Sequence, residues 1–189
     1  PEFIKDSFET VDNAVSDIRR LLDQLRNRRA QAEKKVIIDL AELIVNVVAR
    51  KQQQHPQPVL TSCCTDSFVT AEKDRLSNVL AHLIDNAQQA TADDGTVEVC
   101  LKSNGAMLVI EIKDSGVGME PGFVRERLFK PFDTTKGNAG MGIGMYESRE
   151  FIRQLGGDID VHSKPGVGTT ISLQIPSMAQ HNEQMRVNA

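Results

Sequence analysis

The chain has 189 residues, of which 40% are hydrophobic, with a net charge of −4 and a sequence pI near 5.6. This length suits one ordinary domain plus an additional element, while the acidic balance and the lack of a basic stripe argue against nucleic-acid binding. No apolar run of about 18 residues predicts a transmembrane helix, and we recognise no signal-peptide pattern.

The first predicted element is a long helix over residues 2–31. Its apolar residues recur at alternating steps of four and three, which is a heptad pattern. A long helix with so narrow a stripe needs partner helices, so we favour a bundle or dimer stem over packing against its own globular domain. Because the chain starts inside this pattern, we expect it to be a fragment. The stripe is formed by Ile4, Phe8, Val11, Val15, Ile18, Leu22 and Leu25.

A charged hinge (residues 26–35) separates this helix from the next elements. The sequence KVIID predicts a short strand, and Asp39 is suited to cap a helix over Leu40–Lys51. Two closely spaced prolines in QQQHPQP end that helix. Short strands are predicted at 59–63 and 67–69.

The three cysteines are Cys63, Cys64 and Cys100. Two of them are adjacent and none forms a CxxC pattern. An odd number of cysteines argues against a disulfide framework. The cysteines therefore favour a reducing, intracellular compartment.

A helix predicted from about Glu72 to Thr91 has two distinct faces. Its apolar stripe (Leu76, Val79, Leu80, Leu83, Ile84 and Ala87) follows helical spacing and indicates the core. The other face carries Asn78, His82, Asn86 and Gln89. A second face of Asn and His, rather than Lys and Glu, indicates that this helix lines a site.

A β-hairpin follows, with strands over Thr96–Lys102 and Met107–Asp114 and with Asn-Gly at the centre of the turn. The second strand leads directly into Asp114-Ser115-Gly116-Val117-Gly118. We predict no regular structure over residues 119–141, and a connection of that length is usually functional.

The last elements are a helix over about Ile143–Leu155, ended by Gly156-Gly157, and strands over Asp158–Ser163 and Thr169–Ile175. The pattern predicts an α+β fold, a two-layer α/β sandwich in which one mixed sheet has helices on one face. We expect a polar, disordered tail over residues 177–189.

Three features of residues 78–144 are weak signals alone but strong in this order. Asp114 ends a strand, Asn86 lies on a polar helix face, and GMGIGM opens a helix. Together they supply what a nucleoside triphosphate needs: an acceptor for an amino group, an amide oxygen for a metal, and backbone N–H groups for phosphates.

Residues 36–176 resemble the ATP-binding catalytic domain of two-component sensor histidine kinases, within the gyrase, chaperone, kinase and mismatch-repair (GHKL) ATPase superfamily. HLIDNAQQA resembles the asparagine box, DSGVGM the first glycine box, LFKPFDTTK the phenylalanine box, GMGIGM the second glycine box and GVGTT the last turn. The resemblance implies a Bergerat-type ATP-binding domain over residues 32–176.

Residues 1–31 resemble the second helix of the dimerisation and phosphoacceptor hairpin of these kinases. The amino-acid sequence of this segment, PEFIKDSFETVDNAVSDIRRLLDQL, is most similar to that of the PrsK-type kinases of the exosortase system. The family's acceptor histidine lies on the first hairpin helix, and His55, His82, His162 and His181 all lack its context. We therefore expect kinase machinery without its own acceptor residue.

The resemblance implies roles for individual residues. Asp114 would accept a hydrogen bond from the adenine amino group, Asn86 would bind Mg²⁺, and Thr169 and Thr170 would form the floor of the adenine pocket. Catalytic roles fall on His82, Asn86 and Lys136. The implied nucleotide-binding residues are Asn86, Gln89, Asp114, Gly116, Gly118, Met119, Phe132, Thr134, Thr135, Lys136, Gly140, Met141, Gly142, Ile143, Gly144 and Thr169.

Two positions depart from the family pattern. Four residues before Asn86, many sensor kinases have Asn and the hydrolysing relatives have Glu, whereas this chain has His82. An imidazole there is able to orient a phosphate, act as a base or fill space. Many relatives also have a basic residue soon after the asparagine. Here Gln89 occupies that region, so Lys136 or Arg127 is the candidate for supplying the charge.

The expected activity is transfer of the ATP γ-phosphoryl group to a stem histidine, for relay to a response-regulator aspartate. The implied partners are the missing phosphoacceptor helix, a second protomer and the response regulator, with ATP and Mg²⁺ as cofactors. We expect a cytoplasmic location, with the intact protein anchored in the inner membrane. The alternatives are a conformational ATPase of the gyrase or mismatch-repair type, a protein serine kinase with the same pocket, and a non-catalytic dimerisation module.

Overall fold

The computed structural model describes residues 34–64, 66–133 and 142–178. The predicted stem helix over 2–31 and nearly all of the predicted tail lie outside these residues. Apart from Lys34, the described residues belong to one unit that begins at Lys35. None of the helices within the described ranges is long and apolar enough to cross a membrane.

The described elements alternate between strands and helices. In chain order they are β1 (Val36–Asp39), α1 (Leu40–Lys51), β2 (Pro58–Ser62), β3 (Phe68–Ala71), α2 (Lys73–Ala90), β4 (Val97–Asn104), β5 (Met107–Asp114), α3 (Pro121–Glu126), α4 (Gly144–Gln154), β6 (Asp158–Lys164) and β7 (Gly168–Pro176). The predicted α1, α2 and α4 are confirmed to within two residues at each end.

A five-stranded sheet in the order β2-β4-β5-β7-β6 forms one layer. β2 pairs with β4 in parallel and the other pairs are antiparallel, so the sheet is mixed, as predicted. One face is apolar and packs with α1, α2 and α4 in a single core. The opposite face, which we call the open face, carries polar side chains. This one-sided burial follows the two-residue alternation of the strands. Ile110 and Leu173 illustrate the buried face, and Glu98 and Lys102 the open face.

A second, two-stranded sheet was not predicted. β1 and β3 pair antiparallel, with Ile37 opposite Thr70. Both strands were predicted, but as members of one sheet, because strand propensity does not say which strands pair. The predicted N-cap is confirmed: the Asp39 carboxylate accepts from the backbone N–H groups of Ala41 and Glu42. Ser67, just before β3, donates to the same carboxylate oxygen over 2.7 Å.

The β4–β5 turn differs from the prediction by one residue. Asn104 belongs to β4 and pairs with Met107, so the two-residue loop is Gly105-Ala106 rather than Asn-Gly. Gly105 has φ +60°, which matches the glycine that a type II′ hairpin turn needs at its first position. The Asn-Gly sequence correctly predicted a turn between β4 and β5. Which two residues form the loop was decided by the pairing of the two strands.

The connection predicted to lack regular structure contains a helix. α3 begins at Pro121, a residue favoured in the first turn because its missing N–H has no helical partner there. Six residues are too few to show an apolar period, which is why the pattern did not predict α3.

The Asp39 cap generates a stability prediction. At neutral pH, Asp39→Ala lowers the free energy of unfolding by about 1 kcal/mol, because the first-turn N–H groups of α1 lose their acceptor. Asp39→Asn keeps a cap and serves as the matched control. Both variants are measured by urea unfolding.

The pH dependence gives a second readout of the same carboxylate. The Ser67 hydrogen bond, partly offset by burial and aided by the Glu42 and Ala41 N–H groups, lowers the pKa of Asp39. A lowered folded-state pKa stabilises the fold above the unfolded value, and that stability is lost as the pH falls through the folded value. The wild-type advantage over Asp39→Asn therefore shrinks below about pH 4. An advantage that grew with acidification would contradict this assignment.

Candidate functional site

Asp114 is the charged residue most deeply placed in the site. It ends β5, is 6% exposed, and pairs with Thr169 of β7. Its Oδ1 accepts from the Gly116 N–H over 2.9 Å and from the Thr169 N–H over 3.1 Å. No hydrogen bond from another described residue ends on Oδ2. Burial raises the pKa of Asp114, and the two backbone hydrogen bonds oppose that shift. The carboxylate is thus fixed by one oxygen and offers the other as an acceptor.

The turn after Asp114 brings backbone close to backbone. A Cβ atom on Gly116 would clash with the Ala90 carbonyl at the end of α2, and one on Gly118 would clash with the Lys164 carbonyl. Gly118 also has φ +66°, which favours glycine. The Val117 N–H donates to the Ala90 carbonyl over 2.9 Å. The Gly116 and Val117 contacts join the end of β5 to the end of α2, and the Gly118 contact joins the same turn to the end of β6. Both close approaches require glycine.

Ser163 is a site residue that sequence reasoning missed. It lies on β6 opposite Thr169, and the two hydroxyl oxygens are 2.9 Å apart. Its Oγ also accepts from the Met119 N–H over 2.8 Å. Ser163 therefore connects the segment after Asp114 to the strand pair beneath it. A signal existed, because the predicted β6–β7 hairpin with a turn at 164–168 places Ser163 opposite Thr169.

Thr169 and Thr170 do not share a floor, contrary to what the resemblance implied. Thr169 is buried and its backbone N–H reaches Asp114. Thr170 pairs with Lys113 and His162 in the row of residues on the open face. Successive side chains of a strand point to opposite faces, so only Thr169 lies on the Asp114 side.

His82 and Asn86 lie together on α2, as their i, i+4 spacing predicts. The Asn86 Nδ2 atom is 3.0 Å from His82 Nε2 and 3.9 Å from the Met145 sulfur. The imidazole ring lies directly against Gly144, where a Cβ atom would clash with it. This contact places His82 between α2 and the start of α4. Gln89, one turn further along α2, is exposed.

Asn86 fits the role of a single protein ligand for Mg²⁺. The amide N–H₂ end points toward His82 and Met145, so the amide oxygen is the end turned away from them. Amide oxygen is a hard ligand, and protein sites for Mg²⁺ usually supply one or two such ligands alongside phosphates and water. No group of three or more His, Cys, Asp or Glu side chains that could hold a metal exists in the described part of the chain.

The residues on either side of the interval 134–141 contact each other just before α4. The Phe132 N–H donates to the Gly142 carbonyl over 3.1 Å, joining the two sides of the interval 134–141. Gly142 (φ +63°) packs against the Asp133 backbone, and Ile143 is the buried N-cap residue of α4. Phe132 has φ +68°, and its side chain is 63% exposed.

Arg127 forms a bidentate ion pair with Asp133. Its Nε atom and one terminal nitrogen donate to the two oxygens of Asp133 over 2.9 and 2.6 Å. The Arg127 guanidinium also lies 5.3 Å from the centre of the Phe123 ring. The predicted site residues Thr134, Thr135, Lys136, Gly140 and Met141 lie outside the described residues.

A family model described as "Histidine kinase-, DNA gyrase B-, and HSP90-like ATPase" matches residues 71–179 of the chain. This interval contains Asn86, the Asp114 turn, the start of α4 and Thr169. The chain belongs to this ATPase family. Membership implies ATP binding, which agrees with the acceptor oxygen of Asp114 and the glycine-led start of α4.

Among curated proteins, relatives of this ATPase-family chain include sensor protein SrrB of Staphylococcus aureus strain MRSA252, 30% identical over 192 residues. SrrB of strain N315 has the same identity over the same length. The alignments cover 93% of this chain but 32% of each relative, so the chain spans about a third of their length.

Solved structures show the same fold. The catalytic domain of histidine kinase ThkA is 25% identical with a TM-score of 0.66, over 76% of this chain and 96% of that domain. The mycobacterial sensor histidine kinase MprB has a TM-score of 0.66 at 21% identity, over 75% of this chain and 97% of that structure, which supports the fold alone. The five-stranded mixed sheet with its helices is therefore the histidine kinase catalytic-domain fold.

The close contact between His82 and Gly144 generates a coupling prediction. Gly144→Ala lowers the free energy of unfolding by about 1–3 kcal/mol, because its methyl group forces the imidazole away. In a His82→Ala background the same change is neutral or stabilising, since alanine is favoured over glycine in a helix by roughly 0.5–1 kcal/mol. Urea unfolding of the four proteins completes the double-mutant cycle. An equal cost of Gly144→Ala in both backgrounds would show that the ring is not the obstacle.

Proposed function

We propose that this chain is the ATP-binding catalytic portion of a sensor histidine kinase, which transfers the γ-phosphoryl group of ATP to a histidine on a stem helix. The observation that carries the proposal is the buried Asp114 carboxylate, held through Oδ1 by two backbone N–H groups and leaving Oδ2 as an acceptor. A carboxylate presented in this way selects a ligand with an N–H donor, such as the adenine amino group.

The adenine end of the site is built from the turn after β5. Asp114 Oδ2 accepts from the amino group, and Gly116 and Gly118 keep the neighbouring backbone free of side chains. Thr169 and Met119, which Ser163 links, complete the surroundings of the base. Because Oδ1 is fixed at two points, the carboxylate is preorganised and loses little freedom on binding.

The phosphate end lies at the start of α4. The backbone N–H groups at a helix start attract phosphate oxygens, and Gly142, Ile143 and Gly144 occupy that start. Mg²⁺, held by Asn86, would neutralise phosphate charge there. His82 positions the Asn86 amide through their hydrogen bond. We extend the nucleotide-binding set to Gln89, Phe132, Thr134, Thr135, Lys136, Gly140 and Met141 by resemblance.

The reaction is a phosphoryl transfer in which an acceptor imidazole nitrogen attacks the γ-phosphorus. The bond between that phosphorus and the β,γ-bridging oxygen breaks, and ADP leaves. Positioning and charge neutralisation carry most of the catalysis in such transfers. None of the described histidines, His55, His82 and His162, belongs to the proposed stem over residues 1–31. Residues 1–31 contain no histidine, so we propose that the acceptor lies on another stem helix.

The wider assignment rests on resemblance and on the sensor proteins similar to this chain. We propose a stem over residues 1–31, a catalytic domain over 32–176 and a polar tail over 177–189. The complete protein would dimerise, relay the phosphoryl group to a response-regulator aspartate, and act from the cytoplasmic side of an inner-membrane anchor. Assignment to the PrsK-type kinases is a finer proposal, and it depends on the amino-acid sequence of residues 1–25.

Asp114→Asn separates nucleotide binding from folding. The amide can keep an oxygen toward Gly116 and Thr169 but places N–H₂ where adenine needs an acceptor. We expect ATP affinity to fall about 10- to 100-fold, the equivalent of losing one hydrogen bond to a charged group. Titration calorimetry with Mg·ATP measures this change.

Thermal unfolding provides the matching stability readout. Burial raises the pKa of Asp114, so the ionised carboxylate costs stability at neutral pH and the neutral amide removes that cost. Asp114→Asn should therefore unfold at the same temperature as the wild type or higher. Asp160→Asn, on the open face of β6, is the control and should bind ATP normally. Unchanged affinity in Asp114→Asn would overturn the adenine assignment.

A conformational ATPase is the second candidate, because His82 touches Asn86 and occupies the position that activates water in hydrolysing relatives. We expect the chain to bind Mg·ATP yet release almost no ADP over many minutes, since it lacks an acceptor histidine. Binding and ADP release are measured in the same samples. Steady hydrolysis that disappears in His82→Ala would favour the ATPase, and absence of binding would contradict both functions.

A further inference from the structure

The two oxygens of the Asp114 carboxylate have different surroundings. Oδ1 accepts from the Gly116 N–H over 2.9 Å and from the Thr169 N–H over 3.1 Å. A carboxylate oxygen has about two lone-pair sites, so these donors saturate Oδ1. No hydrogen bond from another described residue ends on Oδ2. One oxygen is therefore committed to the protein, and the other is left for a ligand.

Oδ2 is not sealed inside the protein. Among the described residues, Gln88 Oε1 is the single fully enclosed side-chain N or O atom that lacks a hydrogen-bond partner. Asp114 is 6% exposed, and its unpartnered Oδ2 is not one of the enclosed atoms. A ligand therefore has a path to this oxygen, although the residue as a whole is buried.

A proton that binds this carboxyl group has one favourable position. Because N–H donors occupy both sites of Oδ1, the proton resides on Oδ2. Protonation thus keeps the two hydrogen bonds that position the side chain, and it turns Oδ2 from an acceptor into a donor. A buried carboxylic acid is able to act as a hydrogen-bond donor in this way.

The charged residues on the strands and turns that flank Asp114 are exposed and do not face its carboxyl group. On α2, Asp85 is ion-paired with Lys51, His82 contacts Gly144, and residues 73–75 lie at the far end of the helix. Burial raises the pKa of Asp114 against two backbone N–H groups, with no contribution from a charged side chain of the described residues. The flanking charged or titratable residues are Asp93, Asp94, Glu98, Lys113, Glu120, His162 and Lys164.

We propose that the hydrogen-bonding polarity of Asp114 Oδ2 selects which purine base this site binds. The inference rests on the proposed function, because it concerns the same nucleotide site. The ionised carboxylate accepts from the 6-amino group of adenine. The protonated carboxyl donates to the 6-oxo group of hypoxanthine or guanine. One proton on one oxygen therefore distinguishes two classes of purine nucleotide, and no covalent bond between heavy atoms changes.

Inosine triphosphate (ITP) is the matched probe for this proposal. Its base has an oxo group where adenine has an amino group and a hydrogen on the adjacent ring nitrogen, whereas guanine also adds a 2-amino group. Against the ionised carboxylate, the oxo oxygen faces a second acceptor, and a buried polar site strongly rejects a ligand of the wrong polarity. The ribose and triphosphate are identical, so their contribution cancels in the ratio of the two Kd values.

Asp114→Asn makes the donor permanent. The amide keeps its oxygen on the Gly116 and Thr169 N–H groups and places N–H₂ at the position of Oδ2. Near neutral pH, the wild type should prefer Mg·ATP, whereas Asp114→Asn should bind Mg·ITP at least as tightly as Mg·ATP. One hydrogen bond is lost and another is gained, so the Kd ratio should change by about 100-fold. Titration calorimetry measures both ligands, and Asp160→Asn should keep the wild-type ratio.

The pH dependence tests the wild-type protein without a substitution. Adenine needs the ionised form, so ATP affinity falls relative to ITP affinity as the pH drops through the pKa of Asp114. Because burial raises that pKa above its ordinary value, the Kd ratio is measured from about pH 8 to about pH 5. At the acidic end, ATP binding should release one more proton than ITP binding, as measured in buffers of different ionisation enthalpy. Asp114→Asn should show no such difference, since the phosphate protons are common to both nucleotides.

The outcomes distinguish this inference from the proposed function. Loss of ATP affinity in Asp114→Asn without a gain in relative ITP affinity, or a wild-type ratio that stays constant with pH, would overturn base selection but not ATP binding. Equal binding of ITP and ATP by the wild type near neutral pH would also overturn it. Absence of ATP binding would overturn both. Thermal unfolding at each pH checks folding, and the wild-type series decides if Asp114→Asn is unstable.

Discussion

The arrangement of the site depends on one buried carboxylate. Asp114 ends a central strand, and its Oδ1 is held by N–H groups from the following turn and from the neighbouring strand. Burying a charge is costly unless it is hydrogen-bonded, so this geometry is maintained only where β5, β7 and the turn are all in place. The same cost raises the pKa of the carboxylate. The position of the second oxygen, which is available as an acceptor, is thus coupled to correct assembly of the sheet.

Two glycines of the site act by leaving space for neighbouring groups to approach, not by making the chain flexible. Gly116 lies against the last carbonyl of α2, and Gly144 lies against the His82 ring of the same helix. α2 is consequently fixed at two points, one toward the proposed adenine end and one toward the proposed phosphate end. A helix clamped in this way holds Asn86 at a defined distance between them.

Much of the fold could be predicted from the sequence, because the spacing of apolar residues within one segment indicates which face of that segment is buried. The apolar stripe of α2, the alternation in β4 and β5 and the Asp39 cap each depend on neighbours close in sequence, and all are present in the structure. The features that were predicted wrongly depend instead on residues that are distant in sequence. The separate β1–β3 sheet, the Gly105-Ala106 loop and the opposite faces of Thr169 and Thr170 are matters of strand pairing and register. The short helix α3 escaped because six residues contain no full apolar period.

The sequence by itself determined the order of the motifs, and with it the resemblance to the ATPase family. Asn86, Asp114 and the glycine runs each belong to a short segment that can be recognised without knowing the fold. It also placed His82 on the same helical face as Asn86. Only the tertiary structure decided that His82 packs on Gly144, that the Met119 N–H donates to Ser163, and that Cys100 lies beside the β2 end. Those contacts join residues brought together by sheet order and register, which arise from packing of the whole chain and leave no trace in the spacing of a single segment.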